Sequence, residues 1–539
     1  MDEGSLCDLG AVEAASLIAT RELSPVELVD ALLERFDRLN ATLHAYLHIA
    51  GDEARAAARD AAQEIAQGRY RGPLHGLPLA YKDIFHVAGM PTTAHSRVME
   101  GFVATEDGTV AAKLRAAGTI VLGKLNTHEF ASGGMEHLGY ALNPWDTSRA
   151  PGGSSSGAGT ALAARLTPLA MGSDTGGSVR IPASFCGLVS VKPTHGLVSR
   201  VGILPVSWSF DSAGPMARSV EDAAMLLGAI VGADPRDPST VHREVPDYAA
   251  GLLGSLSGVR LGVPESYFYE SLDPEVEENT RAALARMQEL GATLHTVDIP
   301  HLPYAVAALW CIAFPELLTV HRANLATRAQ DFGTAARRRI ASGGLFTAEE
   351  GVTARRIREV VTGEFLDALA EVDVLVTPTT PITAFRVDEA GGRERDVGRL
   401  TRPVSLTGLP AVSAPTGFTA GGLPTSMQIV ARPWQEGTAL GVAHAYEQSV
   451  EWQQRRPSLT AAPEPGFSEP ARRPKSRPAH GIDAAWVRQF AELTGLTFLT
   501  DADAEAIAES LGPVKGQLAA APATMPPTAE PAVRPVPVP

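Results

Sequence analysis

Ser154 lies in Pro151-Gly152-Gly153-Ser154-Ser155-Ser156-Gly157, and Ser178, 24 residues further on, closes Gly172-Ser173-Asp174-Thr175-Gly176-Gly177-Ser178. Glycine admits backbone angles closed to other residues and lets main chain come close to a ligand. A serine set among such glycines can present its hydroxyl with N–H groups beside it. Acyl transfer needs that pairing of a nucleophile with donors for a developing oxyanion.

A serine nucleophile also needs a base. The candidate histidines are His137, in a Gly-rich stretch with no acidic residue placed to orient it, and His195, in the turn-like Lys192-Pro193-Thr194-His195-Gly196. Both stay open at this level, because catalytic groups assemble across a fold in any chain order. Lysine is the other choice. Lys82 ends the apolar run in Gly76-Leu77-Pro78-Leu79-Ala80-Tyr81-Lys82-Asp83-Ile84-Phe85. That run reads as a buried strand, and a lysine at its end is desolvated, which favours the neutral amine.

Three segments, GLPLAYKD around Lys82, PGGSSSG around Ser154 and GSDTGGSVRIPASFCGLVSVKPTHGLVSR around Ser178, resemble the amidase signature family of serine hydrolases. Weaker similarity runs from about residue 5 to about residue 450, through Gly408-Leu409-Pro410 and Gly422-Leu423-Pro424. The order of the motifs and the spacing of the two serines agree with the family. The resemblance implies an α/β fold with a large central mixed β-sheet sandwiched between helices. It implies Ser178 as nucleophile, Ser154 at a cis peptide as proton relay, and Lys82 as the final base and later the acid for the leaving amine. It places the oxyanion hole at the N–H groups of Thr175, Gly176, Gly177 and Ser178. One departure is visible, Ser156 where the commonest family loop has Gly. For Lys82 to act near neutrality, its pKa must fall ~3 units from ~10.4, a differential cost of ~4 kcal/mol. Burial can shift a lysine that far.

The implied activity is hydrolysis of the carbon–nitrogen bond of a small-molecule amide to acid and amine or ammonia through an acyl-enzyme. The same resemblance holds two alternatives: the glutamine-hydrolysing A subunit of a tRNA-dependent amidotransferase, and a hydrolase of carbamates or urea derivatives. The Tyr-Asp-Gly substrate segment of that A subunit is not evident between 300 and 360. Gly398-Arg399-Leu400-Thr401 stands where an acidic partner for a substrate amino group is expected. Both departures favour the plain amidase.

Composition narrows the class. The chain has 539 residues, 45% hydrophobic and 20% charged, enough for a large core. A net charge of −15 argues against a general binder of phosphate backbones, so no direct nucleic-acid partner is expected. Cys7, Cys186 and Cys311 are too few and scattered for a disulfide framework. Cys186 reads as a small buried hydrophobe rather than a nucleophile. Met1-Asp2-Glu3 lacks a signal peptide's basic and apolar regions, and no apolar run approaches ~18 residues. A cytoplasmic enzyme without a membrane partner is the expectation. Family habit adds a homodimer. His44 and His48 share the four-residue spacing of helical metal ligands, but no third ligand is apparent. Gly152–Gly159 lacks the Gly-Lys-Ser/Thr of a phosphate loop. Neither a metal nor another cofactor is expected.

The elements that must position these residues alternate. Ser24-Pro25-Val26-Glu27 is a capping box that opens a helix with Leu28, Leu32, Phe36 and Leu39 on one face. Helices are also expected at 52–67, 109–117 and 274–290, and buried strands at 119–123, 259–263 and 372–376. Alternation of this kind suits a mixed sheet with helices on both faces. Residues 300–365 are helix-rich, and Arg337-Arg338-Arg339 and Arg355-Arg356 read as a solvated face. Residues 1–455 form the expected catalytic domain and 456–480 a Pro/Arg-rich linker. Residues 481–518 regain helical pattern, with Trp486, Phe490 and Leu493 at i, i+4 and i+7. This small helical hairpin resembles the C subunit of the amidotransferase or its relatives beside hydrolytic amidases, and is expected to pack on the catalytic domain. Residues 519–539 carry almost no large apolar side chains and are expected to be disordered.

Overall fold

The computed structural model describes residues 3–389, 397–459, 482–494, 496 and 498–522. Among them, eleven strands form one mixed sheet: β1 (Tyr46–Ile49), β2 (Pro78–Lys82), β3 (Ile120–Leu125), β4 (Leu169–Asp174), β5 (Val189–Lys192), β6 (Ser212–Ala217), β7 (Arg260–Val263), β8 (Thr293–Thr296), β9 (Val374–Pro378), β10 (Ala411–Phe418) and β11 (Pro424–Val430). Their order across the sheet is β1-β3-β2-β4-β6-β5-β10-β11-β9-β7-β8. Strand β2 runs parallel to both β3 and β4, and β7 parallel to both β8 and β9, while the other neighbouring pairs are antiparallel. This is the mixed α/β architecture that the resemblance implied.

One register positions the chemistry. In the parallel pair β2/β4, Leu79 faces Leu169, Ala80 faces Ala170 and Tyr81 faces Met171. Both chains therefore leave the sheet at the same edge, β2 at Lys82 and β4 at Asp174. The carboxyl ends of parallel strands are where open α/β sheets gather their ligands. Every residue of β2 and of β4 is buried, so whatever is presented there is desolvated.

Local signals set the helices. Ser24 caps the Pro25–Leu43 helix with a capping box closed by Glu27, and Leu28 and Leu32 are buried on its inner face. The expected helices appear as Gly51–Ala66, Thr109–Ala116 and Pro274–Glu289, and the expected strands as β3, β7 and β9. His44 ends the Pro25–Leu43 helix and His48 lies on β1, so the two do not share a helical face.

Two expectations need correction. Leu302–Asp331 is long and apolar enough to cross a membrane by length and composition, a run that the sequence does not lead one to expect. Its α-helical part, Leu302–Arg328, carries Pro315 and scattered polar residues that hide the run from simple inspection, and buries Ala305, Leu309, Ile312 and Leu317. Most of its apolar window is inside the protein, which makes it a core helix. The arginine run 337–339 is not a solvated face either. Arg338 Nε donates to Asp503 Oδ1 at 2.7 Å, Arg337 donates to Asp503 Oδ2 at 3.2 Å, and Arg339 donates to the carbonyl of Ser132.

Asp503 belongs to a C-terminal pair of helices, Ala484–Thr494 and Asp501–Ala520. Trp486 stacks on Phe490 within the first, while the side chain of Leu493 lies outside the described residues. The pair packs on the Leu302–Arg328 and Thr334–Ser342 helices. Val487, Ile507, Leu511 and Leu518 are buried there. The second helix runs to Ala520, past the expected limit at 518. Most of the expected linker and tail, 460–481 and 523–539, lies outside the described residues.

Candidate active site

Lys82 is fully buried at the end of β2, and its Nζ lies 2.7 Å from Ser154 Oγ and 2.9 Å from Ser173 Oγ. Burial pulls its pKa down to about 7, against the upward pull of Asp174 and Asp211. Partner chemistry separates it from Lys124, an equally buried lysine on β3. Lys124 meets the carboxylate of Asp83 at 2.8 Å, whereas Lys82 meets only hydroxyls. Lys192 is also pulled to about 7 by burial, but its amine donates to the carbonyl of Pro193. Among these three, Lys82 is the lysine whose neutral lone pair can take a proton from a serine.

Ser154 follows a cis peptide bond from Gly153. The carbonyl of Ser154 accepts Thr127 Oγ1 at 3.0 Å and His128 N–H at 3.2 Å. A side chain at 153 would strike the His128 ring, with an ideal Cβ 2.3 Å from Nε2, so glycine is required there. Ser155 N–H donates to the carbonyl of Ser178 at 3.2 Å, which ties the two serine loops together. Cys186 Sγ contacts the carbonyl of Pro151 at 3.4 Å, and burial pushes the thiol up, so this cysteine supports the loop as an inert thiol.

Ser178 stands just outside the Arg180–Cys186 helix, with Val179 in the cap position. Ser154 and Ser178 line the same cavity, together with Thr175 and Gly176. Among the described residues no hydrogen bond joins the two hydroxyls; catalytic contacts often tighten only around bound substrate.

The loop from Thr175 to Ser178 is organised by an ion pair that sequence reasoning missed. Asp174 and Arg180 are both fully buried, 3.0 Å apart. Arg180 also donates to Gln428 Oε1 at 2.9 Å and Ser405 Oγ at 2.7 Å. Burial opposes ionisation of Asp174, but the adjacent guanidinium outweighs it and holds the carboxyl below the usual range. Asp174 Oδ1 accepts the N–H of Gly177 at 2.7 Å. That amide is thereby spent on the loop, which sets it apart from the amides of Thr175, Gly176 and Ser178, the others that the resemblance named. Gly177 keeps a backbone role: its φ is +123°, and a Cβ would sit 2.1 Å from Thr401 Oγ1. Thr175 Oγ1 donates to Asp211 at 2.5 Å, and burial pushes Asp211 up to about 6.

Neither expected histidine reaches the cavity. His195 Nε2 contacts the carbonyl of Trp208 at 3.2 Å, and His137 lies 3.8 Å from Glu129. His128 does line it, with burial first and then the Arg339 and Lys82 cations pushing its pKa down to about 3. Its imidazole is neutral and is no base near pH 7. The remaining walls are apolar and cationic. Ile181, Phe385 and Trp310 supply apolar surface, and Arg339 and Arg402 supply charge. Arg402 stacks over Trp310 with its guanidinium carbon 4.9 Å from the ring centroid. No Asp or Glu lines the cavity among the described residues. Ser173, which reaches Lys82 from the neighbouring strand β4, was not legible in the sequence as a partner of that amine. Arg339 and Arg402 gave no signal, because they come from segments far from the serine loops.

A buried amine on a serine, a second serine on the same cavity and amides around it define a site suited to acyl transfer on a mixed α/β sheet. The family model described as Amidase matches residues 27–440. The chain belongs to the amidase family. It is 40% identical over 485 residues to the A subunit of the glutamyl-tRNA(Gln) amidotransferase of Chloroflexus aggregans, covering 83% of this chain and 98% of that one. Among solved structures, it is similar to a protein complex described as revealing the evolutionary origins of an s-triazine catabolic enzyme. The TM-score there is 0.78 at 32% identity, over 82% of this chain and 98% of that one. It is likewise similar to the peptide amidase of Stenotrophomonas maltophilia, with a TM-score of 0.74 at 31% identity, over 85% and 98%.

Proposed function

We propose that this protein hydrolyses the carbon–nitrogen bond of a small-molecule amide through an acyl-enzyme on Ser178, with Ser154 as relay and Lys82 as base. The supporting observation is the 2.7 Å contact between Lys82 Nζ and Ser154 Oγ, made by an amine whose pKa burial has brought to about 7. Ser178 Oγ attacks the carbonyl carbon as its proton passes to Ser154 and the proton of Ser154 passes to Lys82. The carbonyl oxygen becomes an oxyanion facing the amides of Thr175, Gly176 and Ser178. Lys82 returns the proton through Ser154 to the leaving nitrogen, the carbon–nitrogen bond breaks, and amine or ammonia departs. Water then attacks the acyl-enzyme by the same route, releasing the acid and restoring Ser178.

A second reading is glutamine hydrolysis in the role of the A subunit of a tRNA-dependent amidotransferase, favoured by the names of relatives 40% identical to the chain. Glutamine brings an ammonium group as well as a carboxylate. The cavity offers Arg339 and Arg402 but no carboxylate among the described lining residues, which suits an anionic or neutral acyl group better than a zwitterion. A panel of glutamine, asparagine, alkyl and aryl amides, carbamates and urea derivatives, assayed for ammonia or amine release, separates the readings. Turnover of simple amides by the purified chain supports the hydrolase. Turnover confined to glutamine and dependent on an added partner supports the amidotransferase.

A further inference from the structure

The Thr334–Ser342 helix, which carries Arg339, is gripped at its start and along its outer flank. Glu129 Oε2 accepts the N–H of Gly333 at 2.8 Å, and Glu136 accepts the amides of Thr334 and Ala335 at 2.7 and 2.9 Å. Between these two glutamates run Ala131, Ser132 and Met135, which line the cavity. On the other flank Asp503, 1% exposed, receives Arg337 and Arg338. A buried carboxylate persists as an anion only when it is paired and hydrogen-bonded. Two guanidinium groups converging on one carboxylate fix their own rotamers as well. Arg339, the next residue on that turn, donates to Ser132 and lines the cavity. The C-terminal hairpin has a second tie: Lys515 Nζ lies 2.8 Å from both oxygens of Glu350, about 18 Å along the helix from Asp503.

We infer that Asp503 is a positioning residue for the cavity: the C-terminal hairpin is an in-chain brace that fixes the arginine turn and aims Arg339 at an anionic group on the acyl side of the substrate. This rests on the hydrolase reading above. Without the carboxylate, three adjacent guanidinium groups repel one another and the turn loses its outer anchor, so Arg339 and the 129–136 segment loosen together.

The test uses the full chain and three variants, Asp503→Asn, Arg338→Met and Lys515→Met. Hydrogen exchange is followed in segments 129–136 and 334–342. Labelling of Ser178 by a neutral alkyl fluorophosphonate is timed with and without glutarate as an anionic competitor. In Asp503→Asn and Arg338→Met, exchange in both segments speeds up, and the glutarate concentration giving half-protection rises about ten-fold, the loss of roughly one charge-assisted contact. The uncompeted labelling rate stays close to wild type. Lys515→Met, which loosens the hairpin away from the arginine turn, moves neither readout. Equal effects from Lys515→Met and Asp503→Asn would reduce the hairpin to a structural support and overturn the inference. Unchanged exchange in Asp503→Asn, or a wild-type protein that glutarate does not protect, would overturn it too. Should Asp503→Asn fail to fold, Arg338→Met carries the same comparison. A wild-type protein unlabelled at Ser178 defeats the hydrolase reading instead, and the exchange comparison still decides the brace.

Discussion

Raising the pH from 6 to 8 should increase the reactivity of Ser178 about ten-fold, through deprotonation of Lys82. With its pKa at about 7, the amine is about one-tenth neutral at pH 6 and about nine-tenths neutral at pH 8. The fall from 10.5 to about 7 corresponds to roughly 5 kcal/mol of disfavoured charge, set by burial against the opposing pull of Asp174 and Asp211. The same shift enters stability with a definite sign. The folded-state pKa lies below the unfolded one, so between about 7 and 10.5 the unfolded chain binds the extra proton. Lys82 therefore makes folding stability rise with pH across that window, and its cost is fully present below about pH 7. The assay is the rate of Ser178 labelling by a neutral fluorophosphonate between pH 5 and 9, alongside urea unfolding of wild type and Lys82→Met at pH 7 and 9. Lys82→Met should lose the labelling limb and flatten this contribution to the pH dependence of stability. A limb centred near 10, or one that survives in Lys82→Met, would refute the neutral-lysine argument.

Other outcomes follow from the same geometry. Ser178→Ala should abolish amide turnover, by a factor on the order of 10⁴ or more, while the unfolding midpoint stays near wild type. Gly177→Ala places a Cβ 2.1 Å from Thr401 Oγ1 at a φ of +123°, so the loop must shift. Labelling of Ser178 should fall sharply, with destabilisation of about 1–3 kcal/mol in urea. Arg180→Met leaves Asp174 buried without its cation, which should cost about 3–5 kcal/mol in denaturant unfolding. An Arg180→Met protein as stable as wild type would remove the ion pair from the account of the loop.

Local chemistry was the legible part of this site. Lys82 could be read because an apolar run precedes it, and a strand end was the only economical place for it. Ser154 and Ser178 could be read because their glycines mark places where main chain must come close. What stayed hidden depends on contacts between distant segments. Nothing near Asp174 indicates that Arg180 folds back on it, or that Gln428 and Ser405 complete the pair from more than 200 residues away. The commitment of the Gly177 amide to Asp174 is invisible for the same reason. The run 337–339 reads as solvated because three adjacent arginines usually are. Here a carboxylate from the far end of the chain pairs with two of them, and the third turns to the cavity. The helix-rich character of 300–365 was legible, but the apolar length of the Leu302–Arg328 helix was not, because Pro315 and isolated polar residues interrupt the stretch.

The most direct measurement is a crystal structure of the protein inactivated with a neutral fluorophosphonate. The phosphorus is expected on Ser178 Oγ, with the phosphonyl oxygen against the amides of Thr175, Gly176 and Ser178, and Ser154 Oγ bridging Lys82 Nζ to the adduct. Phosphorus on another residue, or Ser154 turned away from Lys82 in the adduct, would contradict the proposed relay.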